Sequence, residues 1–366
     1  MSSQVHNQYA PDQVSSPGET LLEVLEARRM SQAELAERTG RPRKTINEIV
    51  KGKAAITPET AIQLERVLGI AASFWIAREQ NYRESLARAK EASSLQDEVG
   101  WLDEIPFRAL VRLGWVSEHR DKASQVEELL RFFAVASPTS WKDMWHTPAP
   151  AFRQSPSFTS QPGAVAAWLR RGEIEASEQD CASFDLEGFK VVLGQVRSMT
   201  RDMPRDLDSS LTSLCNQVGV AVAFVPEIPG TRVWGATRWL SPNCALIQLS
   251  LRYKTDDHFW FTFFHEAGHV ILHSKRDLFL DEEGSSGSVD KETEANHFAR
   301  NWLIPEVNYR QFCRKGAFNC ASAERFAHEI GVSPGIVIGR LQHDDKLDKS
   351  YCNSLKKDVS WLFTRR

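Results

Sequence analysis

Residues Thr255–His273, TDDHFWFTFFHEAGHVILH, are the stretch from which the rest of this chain is best read. They contain His265-Glu266-Ala267-Gly268-His269, an H-E-x-x-H motif. Around it Phe259, Trp260, Phe261, Phe263, Phe264, Val270, Ile271 and Leu272 put apolar groups nearly all round a helix, as a buried helix requires. Asp256 or Asp257 is placed to cap its start. Residues four apart share a helix face, about 6 Å apart along the axis, so His265 and His269 can converge on one tetrahedral zinc. Glu266 follows the first histidine, where a carboxylate can take a proton from an activated water.

A catalytic zinc of this type needs a third protein ligand. Downstream lies Lys291–Ala299, KETEANHFA, with Ala295, Phe298, Ala299 and Trp302 on one side of a helix that Pro305 ends. Glu292 and Glu294 are two apart and point in different directions. Glu294 adjoins the apolar stripe and is the expected ligand. A metzincin would carry a histidine six residues after His269, but that position is Lys275. His273 lies about 12 Å along the helix from His265, too far to share the metal, and reads as a supporting or helix-end histidine. His297 reads as a capping or packing residue.

The segments IQLSLRYKTDD (247–257), FWFTFFHEAGHVILH (259–273) and EANHFARNWLIP (294–305) resemble the ImmA/IrrE family of metallopeptidases. The match is to its long subgroup, which carries an N-terminal XRE-type helix-turn-helix similar to HigA antitoxins. The resemblance covers almost the whole chain, apart from about fifteen residues at each end. It implies a gluzincin-like peptidase fold, a Zn2+ ion held by His265, His269 and the later glutamate, and cleavage of a regulatory protein partner.

From Gly18 onward five helices are readable. Leu21, Leu22 and Leu25 line the first. Ser31 opens the second, with Glu34 placed to close a capping box, and Gly40 stops it. The third runs from about Pro42 to Val50. Thr57-Pro58 starts the fourth, and Phe74 and Trp75 mark the fifth. The second and third helices form a helix-turn-helix, with the third as recognition helix. From Arg38 to Lys53 six cations face only Glu48, a local charge of 6 − 1 = +5 beside a chain of net charge −3. Matching the XRE pattern assigns Gln32 to a phosphate contact and Arg43, Lys44, Thr45 and Asn47 to the groove. Arg43 and Asn47 suit guanine and adenine edges. Pro42 stands where the family often has a capping serine. Such modules work as homodimers whose recognition helices sit about 34 Å apart on double-stranded operator DNA.

With 366 residues, 42% hydrophobic and 25% charged, the chain has material for two or three domains of ordinary globular composition. The expected architecture is α+β and mostly helical: a polar, disordered lead (1–16), the helix-turn-helix domain (17–90), a helical connecting region (91–204), the peptidase domain (205–345) and a basic tail (346–366). Five proline residues from Ser137 to Pro162 predict exposed loop. From Gly219 the period becomes that of strands: Val220–Val225, Val233–Leu240 and Ala245–Leu249. A small sheet before the motif helix offers an edge for a substrate peptide, expected near Trp234–Thr237. Ala321–His343 reads as a helix pair packed beneath the motif helix.

Six cysteines without a C-x-x-C pair imply buried free thiols in a reducing compartment. No apolar signal core or membrane-length run is present, which predicts a cytoplasmic protein. The expected function is a DNA-binding transcriptional regulator whose zinc endopeptidase cleaves a repressor or toxin–antitoxin partner. The rival is a HigA-type autorepressor or antitoxin with a structural or inactive zinc site. Tyr253, His258, Tyr309, Arg340 and His343 are the candidates for stabilising the oxyanion.

Overall fold

The computed structural model describes residues 14–146, 161–250, 252, 254–275, 278–282, 289–316 and 318–363. It is mostly helical with one small sheet and divides into two compact units between Glu98 and Val99.

The first unit is built from α1 (Pro17–Ala27), α2 (Gln32–Thr39), α3 (Arg43–Val50), α4 (Pro58–Leu68) and α5 (Ala72–Asp97). Leu21, Leu25, Leu35, Ile46, Ile49, Leu64, Leu68 and Trp75 close its core. Residues 1–13 of the expected disordered lead lie outside the described residues. Ser16 is structured: it caps α1 in a capping box with Glu19. Ser31 accepts from the Glu34 amide at 3.1 Å, but the return bond expected from Glu34 is not made. The Glu34 carboxylate instead pairs with Arg38 one turn on, at 2.7 Å. Gly40 ends α2 at φ 69°, a left-handed conformation that a side chain disfavours. The expected fifth helix and the charged connector after it are one continuous helix of 26 residues.

The second unit begins with α6 (Phe107–Arg112), α7 (Lys122–Phe133), α8 (Pro138–His146), α9 (Pro162–Ser177), α10 (Leu186–Met199) and α11 (Leu207–Asn216). The strands β1 (Val220–Phe224), β2 (Val233–Ser241) and β3 (Cys244–Leu249) precede the motif helix α12 (Asp256–Leu272). After it come β4 (Phe279–Glu282), α13 (Val289–Leu303), α14 (Glu306–Arg314), α15 (Cys320–Ile330) and α16 (Pro334–His343). The sheet order is β1-β3-β2-β4, with β1 parallel to β3 and the other pairs antiparallel.

Several sequence expectations change here. The sheet edges are β1 and β4, so Trp234–Thr237 on β2 is interior, paired on both sides. The middle helices do more than connect: α9 packs on the sheet. Trp168 Nε1 donates to the Val225 carbonyl at 3.0 Å, and Gln248 Nε2 to the Trp168 carbonyl at 2.7 Å. Gln179 also bonds both the amide and the carbonyl of Val222, occupying backbone groups on β1. Of the expected 137–162 loop, 138–146 is helix α8 and residues 147–160 lie outside the described residues.

Nor is 346–363 a tail. Cys352, Val359 and Leu362 belong to the same core as Phe259, Trp260 and Phe263 of α12. Cys352 forms a disulfide with Cys320 of α15, so these two are not the free thiols expected. The segment crosses the start of α12, where the Asp256 amide donates to the Lys357 carbonyl and the Lys357 amide to Asp256 Oδ1, both at 2.9 Å. Neither aspartate is the helix cap; that position is Thr255. Asp256 and Asp257 are buried in the first turn, held by Ser333 Oγ (2.5 Å) and Lys356 Nζ (2.7 Å) respectively. Helix α16 lies against this turn, its Gly335 and Gly339 leaving the room that the two carboxylates fill.

Candidate metal centre

The period of α12 puts His265 and His269 on one buried face, 2% exposed each, with their Nε2 atoms 3.0 Å apart. Helix α13 packs along α12, with Ala295 and Phe298 close to Gly268. That packing fixes the rotation of α13 and decides which carboxylate enters. Glu292 Oε2 lies 3.2 Å from His265 Nε2, and its Oε1 3.6 Å from His269 Nε2. His265, His269 and Glu292 form the one group of possible metal ligands found among the described residues. The carboxylate that joins the two histidines is Glu292, not the expected Glu294. Glu294 is exposed and bonds His273 instead. Adjacency to Ala295 in sequence misled, because neighbouring helix residues point about 100° apart. Glu292, three residues before Ala295, shares its face.

The donor set fits zinc. Bonds of about 2.0–2.2 Å in a tetrahedron place ligand atoms about 3.3 Å apart, close to the three separations here. Each imidazole also has a partner for its outer nitrogen. His265 Nδ1 lies 3.2 Å from Asn296 Oδ1, and His269 Nδ1 lies 2.9 Å from His273 Nδ1. The inner Nε2 atoms are thereby left to act as ligands. Burial pulls the pKa of His269 down to about 4 against the opposing pull of Glu292, so the ring is neutral at pH 7, as a ligand must be. Burial pushes the Glu292 carboxyl up, but the two imidazoles beside it outweigh this and hold it at about 2. Phe279 of β4 stacks on His269 with ring centres 4.1 Å apart.

Glu266 is fully buried between α12 and the sheet. Thr237 Oγ1 donates to its Oε2 at 2.7 Å and lies 3.0 Å from its backbone carbonyl. Gly235, two residues earlier on β2, faces the same carboxylate; a Cβ there would stand 2.5 Å from Glu266 Oε1. The strand expected to bind a peptide therefore seats the carboxylate of the motif.

In the first unit Arg43, Lys44 and Asn47 are exposed on α3, whereas Gln32 and Thr45 are half-buried. Ile46 and Ile49 turn inward. Arg43 reaches Glu37 at 3.1 Å and Lys44 reaches Glu48 at 3.8 Å, both in pairs open to solvent. Arg41 is turned away from this row, its Nε donating to Gln63 Oε1 on α4 at 2.6 Å.

Family models match two separate stretches: a helix-turn-helix over residues 21–75 and the IrrE N-terminal-like domain over residues 245–342. The chain fuses an XRE-type helix-turn-helix to an ImmA/IrrE-type domain. Two solved structures resemble the helix-turn-helix part. One is an addiction module antidote protein of the HigA family from Coxiella burnetii, 28% identical over 24% of this chain and 95% of its own, with a TM-score of 0.22. The other is the Pseudomonas aeruginosa antitoxin HigA with the higBA promoter, 30% identical over the same shares, with a TM-score of 0.22. No curated protein matches the chain.

Within the ImmA/IrrE-type domain the oxyanion candidates separate. Tyr309, Arg340 and His343 gather around Asp344: Tyr309 OH donates to it at 2.7 Å and Arg340 Nε at 2.8 Å, and His343 Nδ1 lies 3.1 Å from its other oxygen. His258 is exposed in relative surface area, and the atoms packed around its ring hold its pKa below the ordinary histidine value. Tyr253 lies outside the described residues. Thr237, Asn296 and Phe279 escaped the sequence reading; no motif marks them, because strand pairing and helix packing bring them to the site. Among the described residues no helix is long and apolar enough to cross a membrane.

Proposed function

We propose that this chain is a cytoplasmic DNA-binding regulator carrying a zinc-dependent endopeptidase, which cleaves a regulatory protein bound near the same DNA. The convergence of His265, His269 and Glu292 beside the buried Glu266 carries the enzymatic half. Those three residues would hold the metal. Zinc bound there supplies a Lewis acid that polarises a peptide carbonyl and acidifies water. Glu266 accepts the proton released on attack and returns it to the leaving amine. Thr237, bonded to one carboxylate oxygen, fixes the orientation of that base against β2. The phenylalanine and tryptophan shell of α12 limits water around these groups, which strengthens their electrostatic contacts.

The regulatory half rests on the helix-turn-helix match and the cationic row of α3. Gln32, Arg43, Lys44, Thr45 and Asn47 are the proposed contacts to operator DNA, with the chain acting as a homodimer. HigA-type proteins are similar in this part, which makes a repressor or toxin–antitoxin component the natural class of protein substrate.

The test compares new protein N-termini in cells carrying the wild-type chain or Glu266→Gln. The variant keeps zinc and DNA binding, so a cut made only by the wild type identifies both activity and substrate. Identical N-termini in resting and stressed cells would sink the peptidase and favour an autorepressor with an idle zinc site.

A further inference from the structure

The metal ligands are backed by a second row of polar side chains, and all of it comes from two helices. His265 Nδ1 meets Asn296 Oδ1 directly, at 3.2 Å. His269 Nδ1 meets His273 Nδ1 at 2.9 Å, and His273 Nε2 meets Glu294 Oε2 at 3.0 Å. His273 is the residue that ends α12, yet its side chain is only 3% exposed, with the Phe279 ring 5.1 Å away. Glu294 is open to solvent, its side chain 61% exposed.

Hydrogen-bond direction makes this a chain with one consistent proton order. If His269 is to offer Nε2 to a metal, its single proton must sit on Nδ1. That N–H then points at His273 Nδ1, which must be the bare, accepting nitrogen. The proton of His273 therefore sits on Nε2 and is donated to the Glu294 carboxylate, which can only accept. Each link fixes the next, and the carboxylate at the end sets the sense of the whole. At His265 one amide oxygen does the same work in a single step.

We infer that His273 and Glu294 form a relay that locks the tautomer and ring orientation of His269 for metal binding, with Asn296 performing that task for His265. Helix α13 thus contributes the third ligand, Glu292, and also the group that terminates each outward hydrogen bond. Glu294 is a positioning residue acting through His273. The inference rests on the zinc reading above and adds residues to it.

The experiment measures zinc affinity of the full-length chain by competition with a chromophoric chelator, independently of any cleavage. Glu292→Ala should abolish tight binding. Glu294→Ala should weaken it by about tenfold, the lower end of what loss of such a partner costs, and Asn296→Ala by a similar factor. Glu294→Gln, whose amide oxygen still accepts from His273, should recover part of the loss. His273→Ala should weaken binding at least as much as Glu294→Ala, and in that background Glu294→Ala should have no further effect. Asn296→Ala should still add its own. Because Glu294 is exposed, its variants should unfold in urea at the wild-type midpoint when metal-free.

Unchanged affinity in Glu294→Ala overturns the relay. So does a Glu294→Ala effect that persists in full without His273, which would mark a direct electrostatic pull. Loss of binding in Glu294→Ala as complete as in Glu292→Ala would make Glu294 a ligand and also overturn it. A wild-type chain that binds no zinc removes the metal reading itself, an outcome distinct from these.

Discussion

Replacing Gly235 with alanine tests how tightly the sheet holds the base of the motif. An alanine Cβ would lie 2.5 Å from Glu266 Oε1, 2.9 Å from Glu266 Cγ and 2.8 Å from Thr262 Cγ2. Gly235 does not use a left-handed backbone, so the substitution adds crowding without conformational strain. A surface glutamate would swing aside at little cost. Glu266 is fully buried, and Thr237 grips its other oxygen. Overpacking of this kind costs about 1–3 kcal/mol, or roughly 2–10 °C in melting temperature for a unit of this size. Ten of the eleven tryptophans follow residue 98, so tryptophan fluorescence during urea unfolding reports on the second unit. Glu266→Ala removes two of the three close atoms, so Gly235→Ala should cost less than half as much in that background. A Gly235→Ala protein melting within about 1 °C of wild type would refute the reasoning. So would an equal cost with and without the Glu266 side chain.

Three further outcomes follow from the geometry. Cys352→Ser should cost about 3–4 kcal/mol, the chain-entropy value for the 32-residue separation its bridge spans. A reductant should then lower the urea midpoint of wild type but not of the variant, and equal shifts in both would count against the bridge. In the metal-free protein both His269 and Glu292 have lowered folded-state pKa values, so each favours the fold at higher pH. Stability should fall as pH drops from the ordinary histidine value of 6.5 toward 4 through His269, then from 4.5 toward 2 through Glu292; a flat profile from pH 7 to 4 in stripped protein would contradict this. On a duplex selected from random sequence, Arg43→Ala should lose about 1–3 kcal/mol and relax one base position, while Lys44→Ala should lower the salt slope by about one. Wild-type binding by both variants would remove α3 from the interface.

The motif histidines and Glu266 were legible because one helix carries all three, and the helical period alone sets their spacing. The third ligand depends on how a second helix is rotated. Glu292, Ala295, Asn296 and Ala299 recur at i, i+3, i+4 and i+7, a pattern present in the sequence that outranks Glu294's adjacency to the apolar stripe. The helix-turn-helix was readable from local signals such as Ser31, Gly40 and Thr57-Pro58, each of which acts within a turn or two. The reading failed where partners are remote. Nothing near Trp168, Gln179 or Gln248 announces their bonds to the sheet system. Lys356 and Lys357 look like members of a basic tail until Asp256 and Asp257, about a hundred residues earlier, are seen against them.

That crossing of residues 352–362 over the head of α12 bears on how the domain can be excised. A fragment trimmed to the matched stretch 245–342 would retain the histidines, Glu266 and Glu292, and would look complete by motif. It would lack β1, all of β2, the Cys320 bridge partner and both lysine positions at the start of α12. Asp257 would then be a buried carboxylate stripped of its cation, a loss of the kind that costs about 3–5 kcal/mol. Such a fragment should be insoluble or molten, and its silence in a cleavage assay would say nothing about the intact protein. The smallest piece with a fair claim to autonomy runs from Val99 through at least Leu362.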